Sequence, residues 1–174
     1  MVLKALIDLK IIRSFDEITG VGHRVVAGGE IFNGSVEITE KVIKQIESLS
    51  EYAPLHNPAN VIGIRAVQKV LPNVTSVAVF DTSFHETLPA KNYLYSIPYE
   101  YYEKYGARKY GAHGTSHQLV ALDAAKLLGK PLSSLKMITL HLGAGSSIDA
   151  ILNGQSYDTS MGFTPVSGIT MAPR

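Results

Sequence analysis

Apolar residues recur along this chain in two rhythms that take turns. Residues 21–27 (VGHRVVA) read as a short strand closed by Gly28 and Gly29. Over 39–52 (TEKVIKQIESLSEY), Val42, Ile43, Ile46 and Leu49 share one side of a predicted helix, with Thr39 at its N-cap. Asn57-Pro58 supplies a cap followed by proline at the first helical position, so 58–70 is predicted as a second helix. The β-branched run 74–80 (VTSVAVF) predicts a buried strand. Beyond Asp81 the rhythm loosens. Pro89, Pro98 and the tyrosines between 93 and 110 mark an irregular stretch with one short helix near 99–105. Thr115-Ser-His-Gln118 has capping-box spacing and opens a helix predicted to stop at Gly129. Residues 137–142 form another apolar strand, and Asn153-Gly154 predicts a two-residue hairpin turn within 147–158. Strands and helices in alternation predict an α/β protein. The change of texture near residue 84 predicts two parts, 1–83 and 84–174.

Composition narrows the function classes. The 174 residues, 45% hydrophobic, suffice for a core. Sixteen Lys and Arg against fifteen Asp and Glu give a net charge of +1 with no basic block. That argues against sequence-independent nucleic-acid binding, which needs clustered cations. The lack of cysteine removes disulfides, thiolate metal sites and thiol nucleophiles, and fits a reducing compartment. Uncharged runs near the start are too short to span a bilayer, and residues 1–13 lack a signal-peptide cleavage pattern. The expectation is a cytoplasmic protein without membrane or nucleic-acid partners.

Candidate chemistry sits where glycine and polar residues meet predicted strand ends, the places where open α/β sheets gather ligands. In Gly22-His-Arg-Val-Val-Ala-Gly-Gly-Glu30, Arg24 needs an anion or a structural ion pair. In Phe80-Asp-Thr-Ser-Phe-His85, Asp81 leaves a buried strand; it could cap the next turn, act as acid or base, or hold metal-bound water. Tyr110-Gly-Ala-His-Gly-Thr-Ser-His117 runs into a helix N-terminus, which favours an anion beside His113. His113 and His117 are also four apart, so a zinc pair stays open, although the zinc-protease glutamate is missing and His113 falls outside the helix. His141-Leu-Gly-Ala-Gly-Ser-Ser147 is a strand followed by a glycine turn whose amides could cradle phosphate. Walker and Rossmann signatures are absent. An arginine, an aspartate, a histidine and a backbone anion cradle suit phosphoryl transfer, which is mainly alignment plus charge neutralisation.

The motifs GHRVVAGGE, LHNPAN, VFDTSFH, YGAHGTSH, HLGAGSS and DTSMGFTPVSG, from about residue 20 to 174, resemble in order and spacing those of the acetate kinase family. The resemblance implies a ribonuclease H-like, actin-like ATPase fold, with two partial domains flanking a nucleotide cleft. It also implies Mg²⁺-dependent interconversion of acetate plus ATP with acetyl phosphate plus ADP, in a cytoplasmic homodimer. By the same resemblance, Arg24 binds the substrate carboxylate or phosphoryl group and His56 lines that site. Asp81 matches the residue assigned to proton transfer, and His113 and Arg174 match transition-state stabilisers. His141, Leu142, Gly143, Ala144 and Gly145 match a nucleotide phosphate loop. Val26, Leu55, Ala112 and Pro165 match an acetate methyl pocket.

Acetate is already ionised at neutral pH and needs no base, so Asp81 is expected to order metal-bound water or align the nucleophile instead. Two positions depart from the family pattern. Ala27 stands where a histidine is frequent, and Ala144 where HLGNG has asparagine. Ala112 stands where a bulkier apolar residue often closes the methyl pocket, which predicts weaker rejection of propionate. The family's N-terminal phosphate loop and its C-terminal Mg²⁺ glutamate have no counterpart here, so no metal ligand is expected within this sequence. The resemblance thus implies a truncated chain with exposed apolar faces and little activity alone. The competing readings are a propionate or butyrate kinase, a non-catalytic module that binds nucleotide or a partner, and a metal hydrolase on His113 and His117.

Overall fold

The computed structural model describes residues 2–172. Helix α1 (Val2–Asp8) precedes strand β1 (Val21–Val25), β2 (Val36–Glu37), α2 (Glu40–Ser48), α3 (Asn57–Val70) and β3 (Ser76–Phe80). Two short helices, α4 (Ala90–Tyr93) and α5 (Glu100–Tyr105), cross the tyrosine-rich stretch. Helix α6 (Gly114–Leu128) then leads to β4 (Lys136–Leu142), β5 (Ser146–Leu152) and β6 (Gln155–Thr159).

The first sheet has the order β1-β3-β2, with β1 parallel and β2 antiparallel to the central β3. Parallel pairing puts Val25 opposite Phe80, so both strands end at the same level. Their core comes from the alternation read in the sequence. Val25, Ile43, Ile46, Ile64 and Phe80 are fully buried, and Phe32 stacks on Phe80 with centroids 4.3 Å apart. Each such aliphatic side chain contributes about 1.5–3 kcal/mol on burial. Helix α2 begins as predicted, with the Thr39 hydroxyl accepting from the Val42 amide at 3.3 Å.

Asn57 departs from its expected role. It is the first residue of α3 rather than the cap, and its buried amide clamps the chain that has just left β1. Asn57 Oδ1 accepts from the Ala27 amide at 3.1 Å, while Nδ2 donates to the carbonyls of Ala27 at 3.1 Å and Ile46 at 3.2 Å. Asn60 and Thr82 take the amides of Val26 and Gly28. Side chains thus stand in for a strand partner over residues 26–28, and the chain can turn out of the sheet without orphaning its amides.

The second sheet is the antiparallel meander β4-β5-β6. Its β5–β6 turn is the predicted Asn153-Gly154, with φ of 54° and 85°, as a primed hairpin turn requires. Phe84, Ala121 and Ile151 join α6, β5 and the 3-10 turn after β3. On β4 only Thr139 is buried, and Ile138, Leu140 and Leu142 are 69%, 53% and 69% exposed. These are exposed apolar positions of the kind that the resemblance implied, on a strand at the edge of its sheet. No helix among the described residues is long and apolar enough to cross a membrane.

Candidate active site

The parallel register builds the site first. Because β1 and β3 end together, Arg24 and Asp81 emerge side by side at the carboxyl end of the sheet, and the Asp81 amide still bonds the Val25 carbonyl at 2.9 Å. Arg24 Nε lies 3.0 and 3.1 Å from the two Asp81 oxygens, and Nη2 lies 2.5 Å from Oδ2. The Thr115 hydroxyl donates to Oδ1 at 3.2 Å. Asp81 is fully buried, whereas the Arg24 side chain is 61% exposed. The hydrogen bond to Asp81 raises the Arg24 pKa further, so the guanidinium is a permanent cation, and its Nη1 has no protein partner among the described residues. The turn-capping reading of Asp81 is therefore corrected, because its carboxylate is spent on Arg24 and Thr115.

The helix cap read at Thr115 is corrected too. Helix α6 starts at Gly114, with His113 as N-cap, and Thr115 is released to reach Asp81. The Gly114 amide donates to the Asp81 carbonyl at 2.8 Å, and an added Cβ would lie 2.4 Å from that oxygen. Backbone cannot yield there without losing the bond. Gly114→Ala is expected to cost about 2–3 kcal/mol in urea unfolding, the upper range for overpacking, and wild-type stability would contradict the close approach.

His113 adopts φ +60°, a left-handed conformation that costs a non-glycine residue about 1–2 kcal/mol. Two contacts hold it there. Its ring stacks on His141 with centroids 3.9 Å apart at 24°, and its Nδ1 lies 2.9 Å from Ser147 Oγ. Burial, then the neighbouring His141, pushes its pKa down to about 4, so it is neutral at pH 7. His117 Nε2 reaches the same Ser147 hydroxyl at 2.8 Å. Both rings are thus turned to one hydroxyl rather than to a shared metal position, which corrects the zinc-pair alternative. Among the described residues no cluster of three His, Cys, Asp or Glu could hold a metal ion.

One cleft of about 590 Å³ is lined by Arg24, Asp81, His113, Thr115, Ser116, Leu119, His141 and Gly143–Gly145. A second cavity of about 310 Å³ shares Arg24, Asp81, His113 and Gly145, and adds Val26, Leu55, His56, Ala112 and Pro165. These expected site residues therefore line two adjoining cavities that share Arg24, Asp81, His113 and Gly145. Leu142 is the exception: it lines neither cavity and is 69% exposed, because strand alternation turns it away from His141. Arg174 lies outside the described residues. The nearby chain does return to the glycine turn, where the Ala172 amide donates to the Ala144 carbonyl at 3.2 Å.

Sequence reading missed Thr115, Ser147 and a buried support beneath the site. His85 Nε2 lies 3.0 Å from the Ala112 carbonyl, its Nδ1 is 2.8 Å from Ser156 Oγ, and Ser156 donates to Asp149 at 2.7 Å. Ser156, His85 and Asp149 are almost fully buried, and the serine, not the histidine, sits in the middle. This group anchors the backbone beside His113 and offers no nucleophile. The lone signal for it in the sequence was the polar content of an otherwise apolar hairpin.

All 174 residues match the model of the Acetokinase family. The chain is 71% identical over 174 residues to an acetate kinase of Lactiplantibacillus plantarum, covering 100% of this chain and 44% of the relative. It is 64% identical to the acetate kinase of Enterococcus faecalis, again covering 44% of it. Among solved structures, Porphyromonas gingivalis acetate kinase superimposes with a TM-score of 0.92 at 48% identity, over 98% of this chain and 43% of that one. A propionate kinase from Francisella tularensis gives 0.90 at 45% identity, with 98% and 43% covered. The chain thus spans less than half the length of these relatives, and its α/β architecture is part of their actin-like ATPase fold. On a family match that runs its full length, this chain belongs to the acetokinase family.

Proposed function

We propose that this chain carries the acyl-substrate side of a kinase that passes the γ-phosphoryl group of ATP to acetate. The observation behind the reading is that the cleft holding Arg24, Asp81, His113 and the glycine turn adjoins a smaller cavity where Val26, Leu55, Ala112 and Pro165 meet the same three polar residues. The acetate carboxylate oxygen attacks the γ-phosphorus, the bond to the β,γ-bridging oxygen breaks, and ADP leaves with that electron pair. No proton has to move, since acetate is ionised at neutral pH. Asp81 accordingly serves by fixing Arg24, whose free edge and His113 face the charge on the moving group. His141 and Gly143–Gly145, which line the same cleft, are assigned the phosphate oxygens of the nucleotide. Arg174 is assigned a second stabilising cation, and His56 the wall of the acyl site.

Mg²⁺ would enter with the nucleotide and neutralise its phosphates. Among the described residues the one carboxylate lining the cleft is committed to Arg24 and Thr115, so they do not fit a metal cage, and no step is assigned to the ion. Residues 1–83 and 84–174 are proposed as parts of two domains flanking the cleft, within a homodimeric cytoplasmic enzyme.

The test is acetate-dependent ADP release by a full-length chain carrying this sequence, with acetyl phosphate trapped as its hydroxamate. ADP without an acyl hydroxamate would sink the reading. Propionate is the second reading, favoured by Ala112 on the wall of the acyl cavity. Ala112→Phe is expected to lower kcat/KM for propionate about 10-fold or more relative to acetate, the effect of about one methylene. An unchanged ratio in a folded variant would show that Ala112 does not set the pocket.

A further inference from the structure

We propose that Thr139, His117 and Ser147 form a directed hydrogen-bond chain that fixes the tautomer of His113, holding its Nε2 as a proton donor toward the cleft. The use of that donor rests on the kinase reading above; the tautomer does not.

The links are short and dry. Thr139 Oγ1 lies 2.8 Å from His117 Nδ1. Ser147 Oγ lies 2.8 Å from His117 Nε2 and 2.9 Å from His113 Nδ1. Thr139, His117 and Ser147 are 3%, 1% and 0% exposed. Burial brings the pKa of His117, like that of His113, down to about 4, so both rings are neutral at pH 7.

A neutral imidazole has one N–H and one lone pair, and a hydroxyl has one proton to give. Ser147 could accept from both rings, but its own buried hydroxyl proton would then have no acceptor among the described residues, so it donates to one ring and the three links point the same way. In one direction Thr139 donates to His117, His117 donates to Ser147, and Ser147 donates to His113 Nδ1. The proton of His113 is then on Nε2, the nitrogen with no protein partner among the described residues. In the other direction Thr139 must accept, and its own buried hydroxyl proton finds no other acceptor among the described residues. An unpaired buried donor costs more than an unused lone pair, so the first direction prevails. Stacking on His141 resists a flip of the ring.

The direction matters because charge on a moving phosphoryl group needs a donor. The opposite tautomer would aim a lone pair at an anion. Thr139, His117 and Ser147 touch no substrate in this account; they are positioning residues.

Long-range ¹H–¹⁵N correlation spectra of the ¹⁵N-histidine-labelled 174-residue chain at pH 7 read the tautomer directly. His113 is expected to show an unprotonated Nδ1 and a protonated Nε2. Thr139→Val keeps the shape but removes the donor, and should raise the Nδ1–H form, while Thr139→Ser restores the original pattern. In the full-length chain Thr139→Val should lower kcat about tenfold with KM for acetate and ATP nearly unchanged. A wild-type His113 protonated on Nδ1 overturns the proposal, as does an unaltered tautomer in Thr139→Val. Should Thr139→Val fail to fold, the wild-type and Thr139→Ser spectra still decide. An Nε2–H tautomer in a full-length chain that makes no acyl phosphate would reject the kinase reading alone, and an active chain with Nδ1–H would reject the relay alone.

Discussion

Arg24→Ala is expected to destabilise the chain by about 3 kcal/mol, against about 1 kcal/mol for Asp81→Ala, although the two variants break the same ion pair. The asymmetry follows from where each partner lies. Removing Arg24 leaves a fully buried carboxylate with one hydroxyl donor, Thr115, whereas removing Asp81 leaves an arginine whose side chain is 61% exposed and readily hydrated. The figure for Arg24 sits at the low end for breaking a buried pair because solvent reaches the arginine already. Urea unfolding of both variants and of the double variant gives the ordering and the coupling. Equal losses, or a larger loss for Asp81→Ala, would mean that Asp81 is not held as a buried anion. Phosphoryl transfer should fall about 10²–10³-fold in Arg24→Ala, as when one preorganised charge-stabilising donor is lost. Asp81→Asn keeps the volume of the carboxylate but loosens Arg24, and should lower kcat in the same direction while leaving the melting midpoint closer to wild type.

Acid should weaken this chain through its two buried, neutral histidines. His113 and His117 are both pushed to about 4, chiefly by burial, against about 6.5 in an unfolded chain. Between these values the unfolded state binds protons that the folded state refuses, so stability falls as pH drops from about 6.5 toward 4. Above about 6.5 both states hold neutral rings and the contribution is complete. His23, also lowered by burial, acts in the same direction. Glu86, raised by burial, acts in the opposite one. The urea midpoint is expected to drop steeply between pH 6.5 and 4.5, approximately, and the His117→Gln variant should show a shallower slope. A flat profile in the wild type would contradict the burial of both rings.

Much of the framework was legible because its signals are local. The apolar side of 39–52 became α2 under a Thr39 cap, and Asn153-Gly154 became the β5–β6 turn. The glycine after Leu128 ended α6 in a left-handed conformation, as the stop signal required. Two of the differences share one cause. Asn57 and Thr115 carry side chains that favour caps, and both were drawn away by distant groups: Asn57 by the backbone of Ala27 and Thr115 by the carboxylate of Asp81. Leu142 was grouped with its loop neighbours by motif, but the pleat of β4 turned it outward.

The sequence by itself determined the α/β character, the strand ends where chemistry would gather, and the family to which the motifs point. Periodicity, turn residues and motif order act between near neighbours and survive without coordinates. Only the tertiary structure decided that Arg24 and Asp81 are paired, that His113 is held left-handed against His141, and that Ser147 is shared by two histidines. Those outcomes depend on the register of β1 on β3 and of β4 on β5. Register is set by which apolar faces can be buried together, a property of the assembled sheet and not of any one segment.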